Sequence, residues 1–233
     1  HKSKISMIIR LIIGKGWGQG PQHSQSLESL FAHIPGLVVV APSNPYDAKG
    51  LLVSSLKINK PVIFFEHRWL HETKSFVPNK IYDVKIGQAK LISKGKDLTI
   101  ISYSEGLNKL RNISRILKES KISADIIDLR TIRPLDKKTI IKSIKKTRSL
   151  LVLDNGWKTY GISSEIIALL AENFSNKKIK YLRLGLKEEP ISSTRALAKN
   201  SYVSFKSIFN AISQITKKKF KRDLKEKFLK DIK

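Results

Sequence analysis

Apolar residues in this chain fall into short continuous runs, separated by stretches in which they recur every three or four positions. Ile5 to Ile13, Leu37 to Ala41, Pro61 to Phe65 and then residues 98–103, 124–129, 149–154 and 179–184 have strand length and are rich in apolar side chains. An unbroken run, rather than strict alternation, suits a strand covered on both faces. Residues 105–119, 136–146, 161–174 and 203–216 show helical periodicity instead. In the last of these, Phe205, Ile208, Phe209, Ile212 and Ile215 form one apolar stripe, as a core-facing helix does. Asn44-Pro45-Tyr46-Asp47 opens a further helix. Asn is a good cap, Pro fits the first helical position, and an acid complements the N-terminal dipole; Leu51, Leu52, Ser55 and Leu56 then share its inward face. Strand and helix alternate in two successive series, which predicts α/β architecture with parallel sheets covered by helices. The expected divisions are a first domain over 1–78, a polar connector over 79–97, a second domain over 98–216 and a basic tail over 217–233.

The first strand runs into Gly14, Gly16, Gly18 and Gly20, and then into Pro21-Gln22-His23-Ser24-Gln25. Glycines at this density allow φ > 0 and a close approach of backbone or ligand. A helix is expected from Ser24 or Ser26, with Ser26 and Glu28 a weak capping signal. His23 thus sits where a strand ends and a helix begins, which is where open α/β sheets bind ligands. An imidazole there can hold or donate a proton near neutral pH. From spacing alone, a tight turn with a hydrogen-bonded structural histidine is the more frequent outcome. The glycines match neither the dinucleotide fingerprint nor the phosphate-loop pattern. After the third strand come Glu66, His67, Arg68 and His71. Two histidines four apart hold a metal only from one helical face; these follow a β-run, so a solvated polar rim of the cleft is the expectation.

Charge adds a question about partners. The formal net charge is +26, yet the excess is spread along the chain, which argues against a focused nucleic-acid interface. No apolar run approaches the ~20 residues of a membrane span. Cysteine is absent, which excludes disulfides and thiolate catalysis, and a cytoplasmic setting fits. In the tail, Phe220, Leu224, Phe228 and Ile232 recur every four residues among lysines. Such a basic amphipathic helix suits a membrane surface or a partner groove, but a frayed, solvated extension is the favoured expectation. The chain opens on His1 with an apolar run close behind, and is expected to be a fragment of a longer polypeptide.

Several long motifs, in order, carry a resemblance. Gly18-Gln-Gly-Pro-Gln-His-Ser-Gln25, His33-Ile-Pro-Gly-Leu-Val38, Ala41-Pro-Ser-Asn-Pro-Tyr-Asp-Ala-Lys-Gly50, Asp128-Leu-Arg-Thr-Ile-Arg-Pro-Leu135 and Leu153-Asp-Asn-Gly-Trp157 with Gly161-Ile162 resemble the beta subunit of the thiamine-diphosphate-dependent decarboxylase of 2-oxo acid dehydrogenase complexes, within the transketolase superfamily. The similarity covers roughly Ile5 to Ile215. It implies two doubly wound, mostly parallel-sheet domains: a pyrimidine-binding domain lacking its N-terminal part, and a transketolase C-terminal domain. The activity implied is oxidative decarboxylation of a pyruvate-like 2-oxo acid, with acyl transfer to a lipoyl domain. Thiamine diphosphate and Mg2+ would be held mainly by an alpha subunit in an α2β2 assembly in which beta subunits also self-associate. His23 then matches the family's channel histidine, with Gln22, Ser24 and Gln25 shaping the loop around it. Backbone carbonyls of Ser55, Leu56, Ile58 and Lys60 match the segment that holds a structural monovalent cation, K+ in this reading. The glutamate that activates the coenzyme ring belongs to a segment preceding the matched part, and Glu28, Asp47, Glu66 and Glu72 do not fall in its motif. The chain alone is therefore expected neither to bind the coenzyme tightly nor to turn over. Asp128, Arg130, Arg133 and Pro134 are expected to fix a turn and the contact between domains, and Asp154 stands where the family usually has glutamate. The alternatives are half of a split transketolase or deoxyxylulose phosphate synthase, and a non-catalytic transketolase-like binding module.

Overall fold

A computed structural model describes residues 5–14 and 19–231. Among these, nine strands form two sheets. The first half supplies β1 (Ile8–Ile13), the short helices α1 (Pro21–Ser24) and α2 (Glu28–His33), β2 (Val38–Val40), α3 (Pro45–Leu56) and β3 (Val62–His67). The second half supplies β4 (Lys90–Ser93), β5 (Leu98–Ser102), α4 (Ser104–Asn112), α5 (Ser114–Glu119), β6 (Ala124–Asp128), β7 (Thr131–Arg133), α6 (Lys137–Thr147), β8 (Ser149–Trp157), α7 (Ile162–Phe174), β9 (Lys180–Leu186), α8 (Arg195–Ala198), α9 (Phe205–Thr216) and α10 (Arg222–Asp231).

The first sheet has the order β1-β3-β2-β7 and the second β4-β6-β5-β8-β9. Parallel pairing dominates both; β7 on β2 and β4 on β6 are the antiparallel exceptions. This is the α/β, mostly parallel arrangement that the runs predict. Two details cross the expected divisions. The stretch 79–97 contains β4, an edge strand whose mixed side chains hide it from a hydrophobicity reading. And β7, only three residues long, leaves its own half to complete the sheet of the other.

The core follows the same joining. One cluster takes Ile13, Val39 and Phe65 from the first sheet, Ile101, Tyr103, Ile127 and Val152 from the second, and Ile140, Ile144, Ile166 and Leu169 from α6 and α7. A second cluster covers the other face of the second sheet with Leu107, Leu110 and Leu117 and with the stripe Ile208, Phe209, Ile212 and Ile215 of α9. A third packs Leu51 of α3 against Val40, Val62 and Phe64.

Local signals are realised where they are chemically complete. Asn44 caps α3, its side-chain oxygen accepting from the Asp47 N–H at 2.9 Å, with Pro45 at the first position. The long helix expected over 105–119 is broken at Ile113 into α4 and α5. The tail is not a frayed extension. Leu224, Phe228 and Leu229 of α10 pack on the second cluster, and Phe228 meets Phe205 edge-on with centroids 4.9 Å apart. Ile232 lies outside the described residues. Among the described residues no helix is long and apolar enough to cross a membrane.

Candidate functional site

The site is built at the carboxyl ends of β1 and β3, which run parallel with Ile13 beside His67. Gly14 leaves β1 at φ +82°, a backbone state that side chains resist. Lys15 to Gly18 lie outside the described residues. The chain is next seen at Gln19 and Gly20 and turns once as α1, with Pro21 at the first helical position. Gln22 and His23 face solvent, Gln25 is half-buried, and Ser24 is buried with its hydroxyl donating to the Gln19 carbonyl at 3.3 Å. The helix expected from Ser24 or Ser26 is instead two short ones. Ser26 caps neither: it is buried, and α2 starts without a side-chain cap after Leu27.

Beneath this turn lies a polar floor that spacing did not reveal. Glu28, read as a capping acid, is buried, and neither of its oxygens has a hydrogen-bond partner. Burial, reinforced by the charge of Asp154, pushes its carboxyl up to about 8, against a smaller opposing pull from its backbone N–H. Asp154 is also buried, but it is fully engaged. Its Oδ1 accepts from the Tyr103 hydroxyl at 2.7 Å and from the Gly156 N–H at 3.1 Å, and its Oδ2 from the Ser163 N–H at 2.7 Å. Burial first, then Asp154 and Glu28, raise the Tyr103 hydroxyl well above its ordinary value. Asn155 ties the floor together, donating to the Tyr103 carbonyl at 2.6 Å and accepting from the Gly106 N–H at 2.9 Å. A Cβ on Gly161 would lie 2.1 Å from the Trp157 carbonyl oxygen and 2.5 Å from Asp154 Oδ2, so this turn admits glycine alone.

The polar rim expected after β3 is only partly a rim. His67 is buried, not solvated, because β3 lies between β1 and β2 in the sheet. Its Nδ1 accepts from the Trp69 N–H at 3.2 Å. Burial above all, then Lys109, His71 and Arg68, push its pKa down to about 3. Glu66 pairs with Arg10 at 2.6 Å, and His71 is exposed. Among the described residues no group of three or more His, Asp or Glu side chains could hold a metal ion. At the end of α3, Ser55 is buried with its hydroxyl donating to the Leu51 carbonyl at 2.7 Å, Leu56 is exposed, and the Ile58 carbonyl accepts from the Ser6 hydroxyl at 3.3 Å.

A second polar cluster ties the two halves. The Ser43 hydroxyl donates to Asp128 Oδ2, while Arg111 donates to the Ser43 carbonyl at 2.9 Å and to its hydroxyl oxygen at 3.0 Å. Arg130, in the left-handed region at φ +59°, donates to Asp47 at 2.6 Å, and Arg133 to the Ala32 carbonyl at 2.8 Å. Asp128 is buried, which pushes its carboxyl up to about 6 against the pull of Ser43. Asp128, Arg130 and Arg133 therefore fix both the turn and the contact between halves.

An α/β chain with two mostly parallel sheets belongs to the large class of open-sheet α/β proteins, in which ligands bind outside the carboxyl ends of the strands. Its family is narrower. Residues 87–208 match the transketolase C-terminal domain and residues 1–73 the transketolase pyrimidine binding domain, and the chain belongs to that family. It is 39% identical over 171 residues to the acetoin:2,6-dichlorophenolindophenol oxidoreductase beta subunit of Cupriavidus necator, covering 73% of this chain and 51% of that one. To the pyruvate dehydrogenase E1 component beta subunit of Porphyra purpurea it is 34% identical, covering 91% and 64%; to that of Mycoplasma genitalium, 43%, covering 71% and 51%. The chain thus spans about half to two thirds of the length of these relatives. A solved structure titled as a split gene transketolase, inactive beta4 tetramer, shares the fold with a TM-score of 0.73 at 18% identity, covering 91% of this chain and 66% of that one.

Proposed function

We propose that this chain is part of the beta subunit of a cytoplasmic, thiamine-diphosphate-dependent 2-oxo acid dehydrogenase. It acts with an alpha subunit to decarboxylate a pyruvate-like acid and pass the acyl group to a lipoyl domain. The observation that carries the reading is the exposed imidazole of His23, on a one-turn helix that follows β1 in the chain and is held by buried Ser24, in a chain whose relatives are beta subunits. The coenzyme supplies the electron sink; this chain's task is to orient the substrate and move a proton at His23, with Gln22 and Gln25 lining the approach.

The donor set fits a shared site. In the first half Glu28 is buried, Asp47 and Glu66 are paired with arginines, and Glu72 is exposed. The diphosphate and its Mg2+ are therefore assigned to the partner subunit. The carbonyls of Ser55, Leu56, Ile58 and Lys60 are assigned a structural K+, since carbonyls in and after a last helical turn lack helical donors. The domain divisions at 78, 97 and 216 belong to the same reading. Titration of the chain with thiamine diphosphate and Mg2+, alone and with a co-expressed alpha subunit, tests it. Binding is expected only in the presence of the alpha subunit, and micromolar binding by the isolated chain overturns the shared site. In the assembled enzyme His23→Ala is expected to lose at least ~100-fold in decarboxylation rate, the low end for a positioned acid–base group; an unchanged rate reduces His23 to structure.

A further inference from the structure

We propose that the second half of the chain carries a binding site for a soluble amphipathic anion of the fatty-carboxylate class, in a cavity between β4, β6 and the helix pair α4–α5. The cavity measures about 520 Å3, within the ~300–1,000 Å3 of sites that bind small molecules. Leu107, Leu110 and Leu117 recur at helical spacing and line it from the helices. Ile92 of the edge strand, Ile126 of β6 and Ile122 just before β6 line it from the sheet. Two serines beside them are spent on backbone: the Ser93 hydroxyl donates to the Ala124 carbonyl at 2.8 Å, and the Ser114 hydroxyl to the Arg111 carbonyl at 2.7 Å. Among the described residues no aromatic ring lines the cavity. The body of a ligand therefore meets branched hydrocarbon with no stacking platform, which selects an aliphatic tail over a heteroaromatic group. The site is independent of the role proposed for His23, since neither His23 nor Glu28, Tyr103 or Asp154 lines it.

The rim carries one sign of charge. Lys94, Lys118 and Lys121 belong to the lining and are exposed. Among the described residues none of the three is in an ion pair. No acid lines the cavity. The acids nearest in the chain are already engaged, Glu119 with Arg115 at 2.6 Å and Asp97 with Lys218 at 2.5 Å. Arg111 lines the cavity too, but its terminal nitrogens are bonded to Ser43, so the three lysines supply the charge. The basic tail adds to the same side. Lys218 donates to the Lys121 carbonyl at 3.0 Å, and the Lys221 N–H to the Ser120 hydroxyl at 3.1 Å, which sets the start of the tail beside the end of α5. Ammonium groups on flexible stems meet a charged head at the mouth while their methylenes lie along apolar wall. A carboxylate at the rim with a hydrocarbon chain below it matches both parts of the cavity; a cationic amphiphile matches only the lower one.

Isothermal titration of this chain with decanoate tests the site. Saturable one-to-one binding is expected, about ten-fold tighter than that of octanoate, since each further buried methylene adds up to about four-fold. Decyltrimethylammonium has the same tail and the opposite charge, and is expected to bind at least ~10-fold more weakly. Ile92→Trp fills the cavity from the edge strand, and is expected to weaken decanoate at least ~10-fold by overpacking. Lys94→Glu combined with Lys118→Glu leaves the walls intact and reverses the charge at the mouth, with a loss of at least ~10-fold expected from like-charge repulsion. The proposal is overturned by the absence of saturable binding below ~1 mM, by equal affinity for the cationic amphiphile, or by unchanged binding in either variant. Should Ile92→Trp fail to fold, the chain-length series decides for the cavity: an affinity that does not rise from octanoate to decanoate overturns it. Adsorption to phosphatidylglycerol vesicles without binding of free decanoate assigns the lysines to a membrane surface and overturns the site as well.

Discussion

A carboxyl sealed from water with neither oxygen bonded holds on to its proton, and Glu28 is such a group. Its ordinary value of 4.5 is raised to about 8, chiefly by burial. The folded state therefore binds a proton that the unfolded chain gives up. The stabilisation from this group is fully present below the unfolded value and is lost as pH rises through about 8. Glu28→Gln keeps the shape and removes the proton. The melting temperature of the variant relative to the wild type is expected to climb from about pH 5 to about pH 8 and to level off above that; a flat difference throughout refutes the buried acid. Taking the difference cancels Asp128, whose raised value acts in both proteins. His67 works in the opposite direction, since its lowered value makes stability fall as pH drops below the ordinary histidine range.

Elements were legible where the physics is local. Central strands such as β2 and β3 announce themselves as unbroken apolar runs. The run from Ile5 to Ile13, expected to be covered on both faces, instead forms the edge strand β1 with Ile9 and Ile12 exposed. Helix α3 is announced by a complete capping signature whose Asn44–Asp47 bond forms as expected. Glu28 was not legible, because an acid in a first turn reads as a cap and only a distant strand makes it buried. Neither was β7: three residues carry no periodicity, and their pairing with β2 is decided across the molecule. The tail falls between these cases. Its apolar repeat was visible, but its partner was not, since a stripe on α10 fits a membrane or a groove as well as the phenylalanines of α9. Phe228 lies edge-on to Phe205 and to Phe209, with centroids at 4.9 and 6.0 Å. Phe228→Ala is expected to cost about 1.5 kcal/mol, less than a fully buried Phe loses. Chemical denaturation measures this, and no shift in the midpoint would mean that α10 adds nothing to the core.

At the scale of the whole molecule the two halves are joined by core, sheet and ion pair. They share the central cluster, exchange β7, and are tied by the pair between Arg130 and Asp47, whose carboxylate has no exposure at all. Removing the cation strands that carboxylate, with Asn44 as its remaining side-chain donor. Arg130→Met keeps length and apolar stem, so the loss is mainly one of charge compensation. The expected cost is about 3 kcal/mol, the low end for breaking a buried pair, or roughly 6–12 °C in a chain of this size. Calorimetry distinguishes the outcomes. If the halves are coupled as the shared core requires, the variant melts earlier but still in a single transition. Two separated transitions, one at the wild-type temperature, would mean that each half folds by itself and that the polar bridge only fastens them. The site depends on the same coupling, because Gly20 of the first half lies against Ser193 of the second and Glu28 of the first half feels the charge of Asp154 of the second. A variant that parts the halves is therefore expected to speed hydrogen exchange at residues 19–28 before it does so in β5 or β8.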